Sequence, residues 1–241
     1  MAQSQHLSQR QRGRTLPKKR SRLPLLIIVL ALVVLVAGAI IVSKAGQSAV
    51  AVVHFTARVI NAPTGVTPEG YAYKGSPDAA VTVIEYGDFQ CPSCAAFTTQ
   101  QEAAIDQQYV EAGKVRFIYH DFPLQQHEHA VIAAAAARAA GEQGKFWQMH
   151  DLLFSRQRAW SSSSAIQPLL VSYAESLGLD RQAFEQALTS EKFVATLEAA
   201  RQQSGQRGVQ ATPTFDVNGT LVDASQLTAA IDAALQAQGR Q

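Results

Sequence analysis

Cysteine is nearly absent from this sequence: among 241 residues only Cys91 and Cys94 carry a thiol. A disulfide-built scaffold, which needs several bridges, is thereby excluded. Acidic residues are missing altogether from residues 1–43, a stretch that holds Arg10, Arg12, Arg14, Lys18, Lys19, Arg20 and Arg22. The remainder carries 14 Lys and Arg against 19 Asp and Glu, so the overall charge of +2 hides a basic tail on a mildly acidic body. Internal repeats are also lacking, which excludes solenoid and propeller architectures. The length allows one large domain or two small ones.

Charge is absent again from "LPLLIIVLALVVLVAGAIIV", residues 23–42. At roughly 1.5 Å rise per residue such a helix spans roughly 30 Å, the hydrocarbon thickness of a bilayer. It is apolar on every face, unlike the helix of a soluble surface. Its core exceeds the roughly 7–15 residues of a cleaved signal peptide. We therefore expect an uncleaved transmembrane anchor over 23–43, the alternative being cleavage near "SKA" at 43–45. Seven positive charges precede the span and Lys44 follows it. The positive-inside tendency then puts residues 1–22 in the cytoplasm and 44–241 outside, at a cell membrane crossed once. Beside a span, the basic tail reads as a topology signal with anionic-lipid contact rather than as a nucleic-acid binder.

Beyond the span, residues 44–76 read as a linker or N-terminal extension, with "NAPTGVTPEG" (61–70) rich in turn formers. "AVTVIEY" (80–86) is rich in β-branched residues and reads as a strand. A helical pattern runs from Pro92 to about Ala112 and ends at Gly113. "KVRFIYHDF" (114–122) alternates like a second strand. Strand, helix, strand with tight turns makes a βαβ unit and an α/β fold class. Roughly 125–205 is helical throughout, with Phe146, Trp147, Leu152, Leu153, Tyr173, Leu177 and Phe184 as candidate core. "TPTFDVNGTLV" (212–222) is a hairpin about Asn-Gly, and "ASQLTAAIDAALQAQ" (224–238) is a closing helix.

The cysteine pair admits three readings. As a structural staple, Cys-x-x-Cys closes too short a loop to restrict the unfolded chain much. As half a zinc site it needs two more ligands. His127 and His129 form the one close His pair, but their i, i+2 spacing faces them apart on a helix, and they read as a solvated helix start. As a redox centre it has a physical rationale. Cys91 sits where a strand gives way to a helix, and there free backbone N–H groups and the helix dipole favour a thiolate. Pro92 suits a first helical position. Cys94, one turn on, lies under Cys91 and can close a redox disulfide, Cys91–Cys94. In a βαβ context this is a thioredoxin-like signature. Asp88 reads as a turn residue.

"VIEYGDFQCPSC" resembles the active-site strand and helix start of bacterial DsbA-like, membrane-tethered thiol-disulfide oxidoreductases. "GSPDAAVTV" before it, and "VRFIYHDFPL", "GKFWQMHDLLF" and "GVQATPTFDVNG" after it, match in the same order, so the resemblance covers roughly residues 74–238. It implies a thioredoxin fold, residues 77–124 and 205–241, with an all-helical domain inserted over 125–204. It further implies Pro213 as a cis proline packed against the redox pair. Thr212 beside it would offer backbone groups to an extended substrate. Glu85 matches the family's acidic residue under the site, where burial would raise its pKa and let it relay a proton to or from Cys94. Cys91, Cys94 and Glu85 are thus the expected catalytic residues, Thr212 and Pro213 the substrate-binding ones, and Pro92 and Ser93 those that tune the pair. Neither a cofactor nor a metal is expected.

Two positions depart from the pattern. Ser93 stands where the strongest oxidant of the family has His, and a hydroxyl stabilises a neighbouring thiolate less than an imidazolium. Thr212 before the cis proline is shared by several subclasses, isomerases included. The resemblance implies donation of disulfides to exported proteins with free cysteines, followed by re-oxidation through a quinone-linked membrane partner resembling DsbB or vitamin K epoxide reductase. A reductase or isomerase of the same fold remains the alternative. The short 44–76 segment does not match the dimerisation domain of the dimeric isomerases. A redox-silent peptide-binding chaperone and a serine-dependent glutathione-conjugating relative are the remaining rivals, the last disfavoured by the intact Cys-Pro-Ser-Cys.

Overall fold

Val81–Gly87 (β3) and Val115–Asp121 (β4) lie side by side and parallel, Val81 opposite Val115 and Gly87 opposite Asp121. Both are β-branched and aromatic runs of seven residues, buried along most of their length. Parallel neighbours require a crossover connection. It is supplied by α1 (Pro92–Gln100), α2 (Glu102–Ile105) and a π-helical turn, Asp106–Val110. The computed structural model describes residues 58–239.

Around this pair the sheet runs β1 (Thr64–Val66), β2 (Ala72–Lys74), β4, β3, β5 (Thr214–Val217), β6 (Thr220–Val222). β5 (Thr214–Val217) and β6 (Thr220–Val222) form the expected hairpin, and β5 runs antiparallel to β3 with Phe215 opposite Glu85. Its turn residues Asn218 and Gly219 both have positive φ, 47° and 93°. That pair of conformations suits Asn-Gly and few other dipeptides. The closing helix α9 (Leu227–Gln238) buries Leu227 and Ile231 in the core.

At the other edge, the described part of the 44–76 segment, residues 58–76, is an N-terminal extension that joins the sheet rather than a linker. Thr64–Val66 (β1) and Ala72–Lys74 (β2) are strands, and β2 extends the sheet by pairing antiparallel with β4. Each has three residues, too few to show an alternating pattern. Lys74 is completely buried within β2, which reverses the polarity expected of a core strand. Thr67 accepts a hydrogen bond from the Tyr71 amide through its hydroxyl, closing the turn between the two strands.

Between β4 and β5 the chain is helical, as expected: α3 (Ala130–Glu142), α4 (Phe146–Ser155), α5 (Gln157–Trp160), α6 (Ile166–Ser176), α7 (Arg181–Thr189) and α8 (Lys192–Gln206). In α3 the alanines at 133, 134, 136, 137 and 140 are all buried. Side chains this small let α4, α7 and α8 approach closely, and alanine favours the helix intrinsically. Trp147, Leu152, Leu153, Tyr173 and Phe184 are buried core, while Phe146 and Leu177 pack partly buried against it. The transmembrane anchor expected over 23–43 and the topology drawn from it lie outside the described residues. Among the described residues no helix is long and apolar enough to cross a membrane.

Candidate active site

The redox loop is tied down before the helix begins. At the end of β3, Gly87 lies against the Tyr119 ring, where an added Cβ would come within 2.6 Å of ring carbon. Asp88 then accepts from the Gln90 amide at 2.7 Å, a turn held by the side chain itself. Its second oxygen accepts from the Leu124 amide at 2.9 Å and contacts the His127 ring nitrogen Nδ1 at 2.8 Å. Asp88 is thus more than a turn residue: it is buried and joins the β3–α1 and β4–α3 loops. The same contact places His127 in the turn ahead of α3, with its ring on Asp88 rather than freely solvated.

Cys91 is the N-cap residue of α1, with Pro92 at the first helical position. Its carbonyl accepts from Ala95 at 3.1 Å and from the Gln157 amide side chain at 2.9 Å. Gln157 also donates to the Phe89 carbonyl at 2.8 Å. Gln90 donates to the Ser161 carbonyl and accepts from the His129 amide. Two glutamines therefore clamp the redox loop onto the inserted helical domain. Neither stood out in the sequence, because a single amide has no periodic or motif signal.

Both cysteines are buried free thiols, Cys94 completely. The Thr212–Pro213 peptide bond is cis, as the resemblance implied. It brings the Thr212 carbonyl to 3.3 Å from Cys91 Sγ. The two thiols diverge in acidity. Cys91 falls from 9.0 to about 5, first through the hydrogen bond from Cys94 and then through Thr212 and the backbone N–H groups of Cys94 and Ser93, against the opposing effect of burial. Cys94 moves far the other way, because it is buried, donates to Cys91 and faces the charge of Glu85. A reactive thiolate at the helix N-cap beside a more deeply buried, protonated thiol is the division of labour that dithiol exchange requires.

Glu85 is fully buried in β3, and neither carboxylate oxygen has a hydrogen-bond partner. Burial, joined by the nearby charge of Glu102, raises its pKa well above 4.5 against the pull of Lys74. A buried carboxyl whose pKa is raised in this way is equipped to exchange a proton with Cys94.

Beneath it lies a charge network. Lys74 contacts Glu102 and reaches Asp106 at 2.8 Å, with its ammonium 4.6 Å from the Trp147 ring centre. Arg58 adds contacts of 3.2 Å to Glu102, 3.1 Å to Asp106 and 3.4 Å to Asp151. Burial works against ionised Glu102, but Lys74, His150 and Arg58 overcome it and bring its pKa to about 2. Glu102, His150 and Asp151 offer ligand atoms within 4.8 Å of one another. Lys74 and Arg58 already engage the carboxylates among them, a donor set that suits an ion-pair network better than a metal. The available signal was Glu102 and Asp106 at i, i+4, a like-charge pair that calls for a cation.

A family model described as thioredoxin matches residues 67–237. The chain belongs to the thioredoxin family. Among solved structures it is similar to oxidised BdbD from Bacillus subtilis, at 27% identity and a TM-score of 0.64, covering 73% of this chain and 98% of that one. MdbA, a thiol-disulfide oxidoreductase from Corynebacterium diphtheriae, shares the fold at 19% identity and a TM-score of 0.64, covering 75% of this chain and 96% of that one. A curated relative, Na(+)/H(+) antiporter NhaA 1 of Salinispora arenicola, is 35% identical over 178 residues, 73% of this chain and 26% of that protein. The chain thus spans about a quarter of the length of the curated relatives it matches. These likenesses support the DsbA-like resemblance carried by the sequence motifs.

Proposed function

We propose that this domain donates disulfides to exported proteins from the outer side of a membrane to which residues 23–43 anchor it. One observation carries the reading: the Cys91 thiol, acidified to about 5, lies 3.3 Å from the carbonyl before a cis proline, with a protonated Cys94 below it. In the oxidised enzyme a substrate thiolate attacks Cys91 Sγ. The Cys91–Cys94 bond breaks, and a mixed disulfide between substrate and Cys91 forms. Cys94 leaves with the electron pair and takes a proton, for which Glu85 is the nearby source. A second substrate thiolate then attacks the substrate sulfur and expels Cys91 as a thiolate. Two substrate thiols have become a disulfide, and the enzyme holds the two electrons.

A thiol of low pKa leaves readily, which favours this direction over reduction. Thr212 and Pro213 bind the substrate backbone in extended form beside the sulfur. Re-oxidation falls to a quinone-linked membrane partner of the DsbB or vitamin K epoxide reductase kind, which the anchor keeps close. Ser93 in place of His makes the pair a milder oxidant than the strongest of its relatives.

The test is oxidative refolding of reduced, unfolded ribonuclease by the oxidised full-length protein. The expected result is stoichiometric disulfide transfer, abolished by Cys91→Ser. Refolding help that survives Cys91→Ser would support the chaperone reading, and failure to transfer despite rapid reduction of disulfides would support a reductase.

A further inference from the structure

Among the described residues, the acidic body carries a cationic groove at the redox helix. It has a volume of about 500 Å³ and begins at Pro92, the residue after Cys91, between α1 and the junction of α4 with α5. Pro92, Ala95 and Ala96 form one wall; Phe154, Arg156 and Arg158 belong to the other. The alanines keep the wall low, and Phe154, itself buried, is the apolar member of the facing wall. Arg156 and Arg158 are exposed. Neither makes an ion pair or side-chain hydrogen bond among the described residues, where seven other cationic side chains outside the histidines do pair. No acidic side chain lines the groove, although residues 44–241 carry 19 acids against 14 bases.

We infer that this groove selects exchange partners whose reacting cysteine is followed or preceded by acidic residues. The inference rests on the oxidoreductase reading and names the kind of peptide that reading leaves open. α1 rises about 1.5 Å per residue, so the stretch from Pro92 to Gln100 is about 12 Å long, the reach of about four extended residues. A peptide joined through its sulfur to Cys91 passes Pro92 with its next residues. Gln157, between the two arginines, is hydrogen-bonded to the Cys91 and Phe89 carbonyls, which ties the groove wall to the redox loop. Two unpaired guanidiniums there attract carboxylates and repel lysines, acting on encounter and on the mixed disulfide alike. Arg156 and Arg158 are specificity residues in this account. They touch the substrate away from the reacting sulfurs.

The experiment uses oxidised full-length protein and three single-cysteine peptides whose cysteine is flanked on both sides by Asp, Ser or Lys. Mixed-disulfide formation is quenched with acid and read by mass spectrometry. Each rate is divided by that of the same peptide with the uncharged 2-hydroxyethyl disulfide, which removes the effect of the flanking charges on the peptide's own thiol. The expected order is Asp over Ser over Lys, with about a ten-fold span at low salt that shrinks several-fold at 0.5 M salt, as screening demands. The double variant Arg156→Gln, Arg158→Gln should bring the Asp peptide down to the Ser peptide. Equal corrected rates for the three peptides, or a preference that persists in the double variant, overturns the inference while the oxidoreductase reading stands. Absence of reaction with every peptide overturns both.

Discussion

The acidity of Cys91 should make the reduced protein more stable than the oxidised one, and by an amount that depends on pH. Only the reduced form has the thiol, so comparing the two forms isolates it. Glu85 and the Lys74 network are present in both forms and largely cancel. The folded pKa is depressed, from 9.0 to about 5. A depressed acid stabilises the folded state fully above its unfolded pKa and loses that contribution as pH falls through the folded one. Cys94, whose pKa moves up, stays protonated in both states below pH 9 and adds nothing. Each pH unit between about 5 and 9 is worth about 1.36 kcal/mol, so pH 7 gives about 2.7 kcal/mol at most. Cys91 borders solvent, and screening brings this to about 1–2 kcal/mol. For a domain of this size that corresponds to about 3–6 °C in melting temperature. Thermal unfolding of both forms, followed by circular dichroism at pH 4.5, 5.5 and 7, is the assay. The lead of the reduced form should grow across this series and vanish at the acid end. A lead that stays flat from pH 4.5 to 7 would refute the reasoning, because a thiol of ordinary acidity is protonated throughout.

Three further outcomes are expected. Glu85→Gln removes the buried proton source and should slow mixed-disulfide formation about ten- to a hundred-fold at neutral pH, while iodoacetamide still alkylates reduced Cys91 with a midpoint near pH 5; an unchanged exchange rate would rule the relay out. Lys74→Met leaves Glu102 and Asp106 buried with Arg58 as their remaining cation, which should cost about 3–5 kcal/mol and lower the melting temperature by about 10 °C; a loss within 2 °C would show that the network carries little of the stability. Ser93→His places an imidazolium beside the thiolate and should raise the reduction potential by about 30 mV for each unit by which it lowers the Cys91 pKa, read by equilibration with glutathione.

The parts of the molecule that were legible in sequence are those with local causes. β3 and β4 announce themselves through runs of β-branched and aromatic residues, the β5–β6 hairpin through Asn218-Gly219, and the start of α1 through Pro92. Cys91 and Cys94 are legible through their spacing, Pro213 and Glu85 only through the DsbA-like resemblance, and the structure sets the Thr212 carbonyl before the cis Pro213 against Cys91, with Glu85 buried in β3. What escaped has causes spread along the chain. β1 and β2 are too short to show a period, and β2 contains a buried lysine whose partners are 28 and 32 residues away. Gln157 reaches the redox loop across 66 residues, and Asp88 bonds its near neighbour Gln90 while contacting His127 39 residues on. Each looks like an ordinary polar residue until the fold closes around it.

The reduction potential of the Cys91–Cys94 pair bears most directly on the central claim. The full-length protein is equilibrated with glutathione buffers and its disulfide quantified by mass after alkylation. A thiolate held at about 5 favours the reduced state, so the value should fall between roughly −120 and −180 mV, the range of disulfide donors and exchangers. A value near roughly −270 mV, that of a dithiol reductant, would contradict the account.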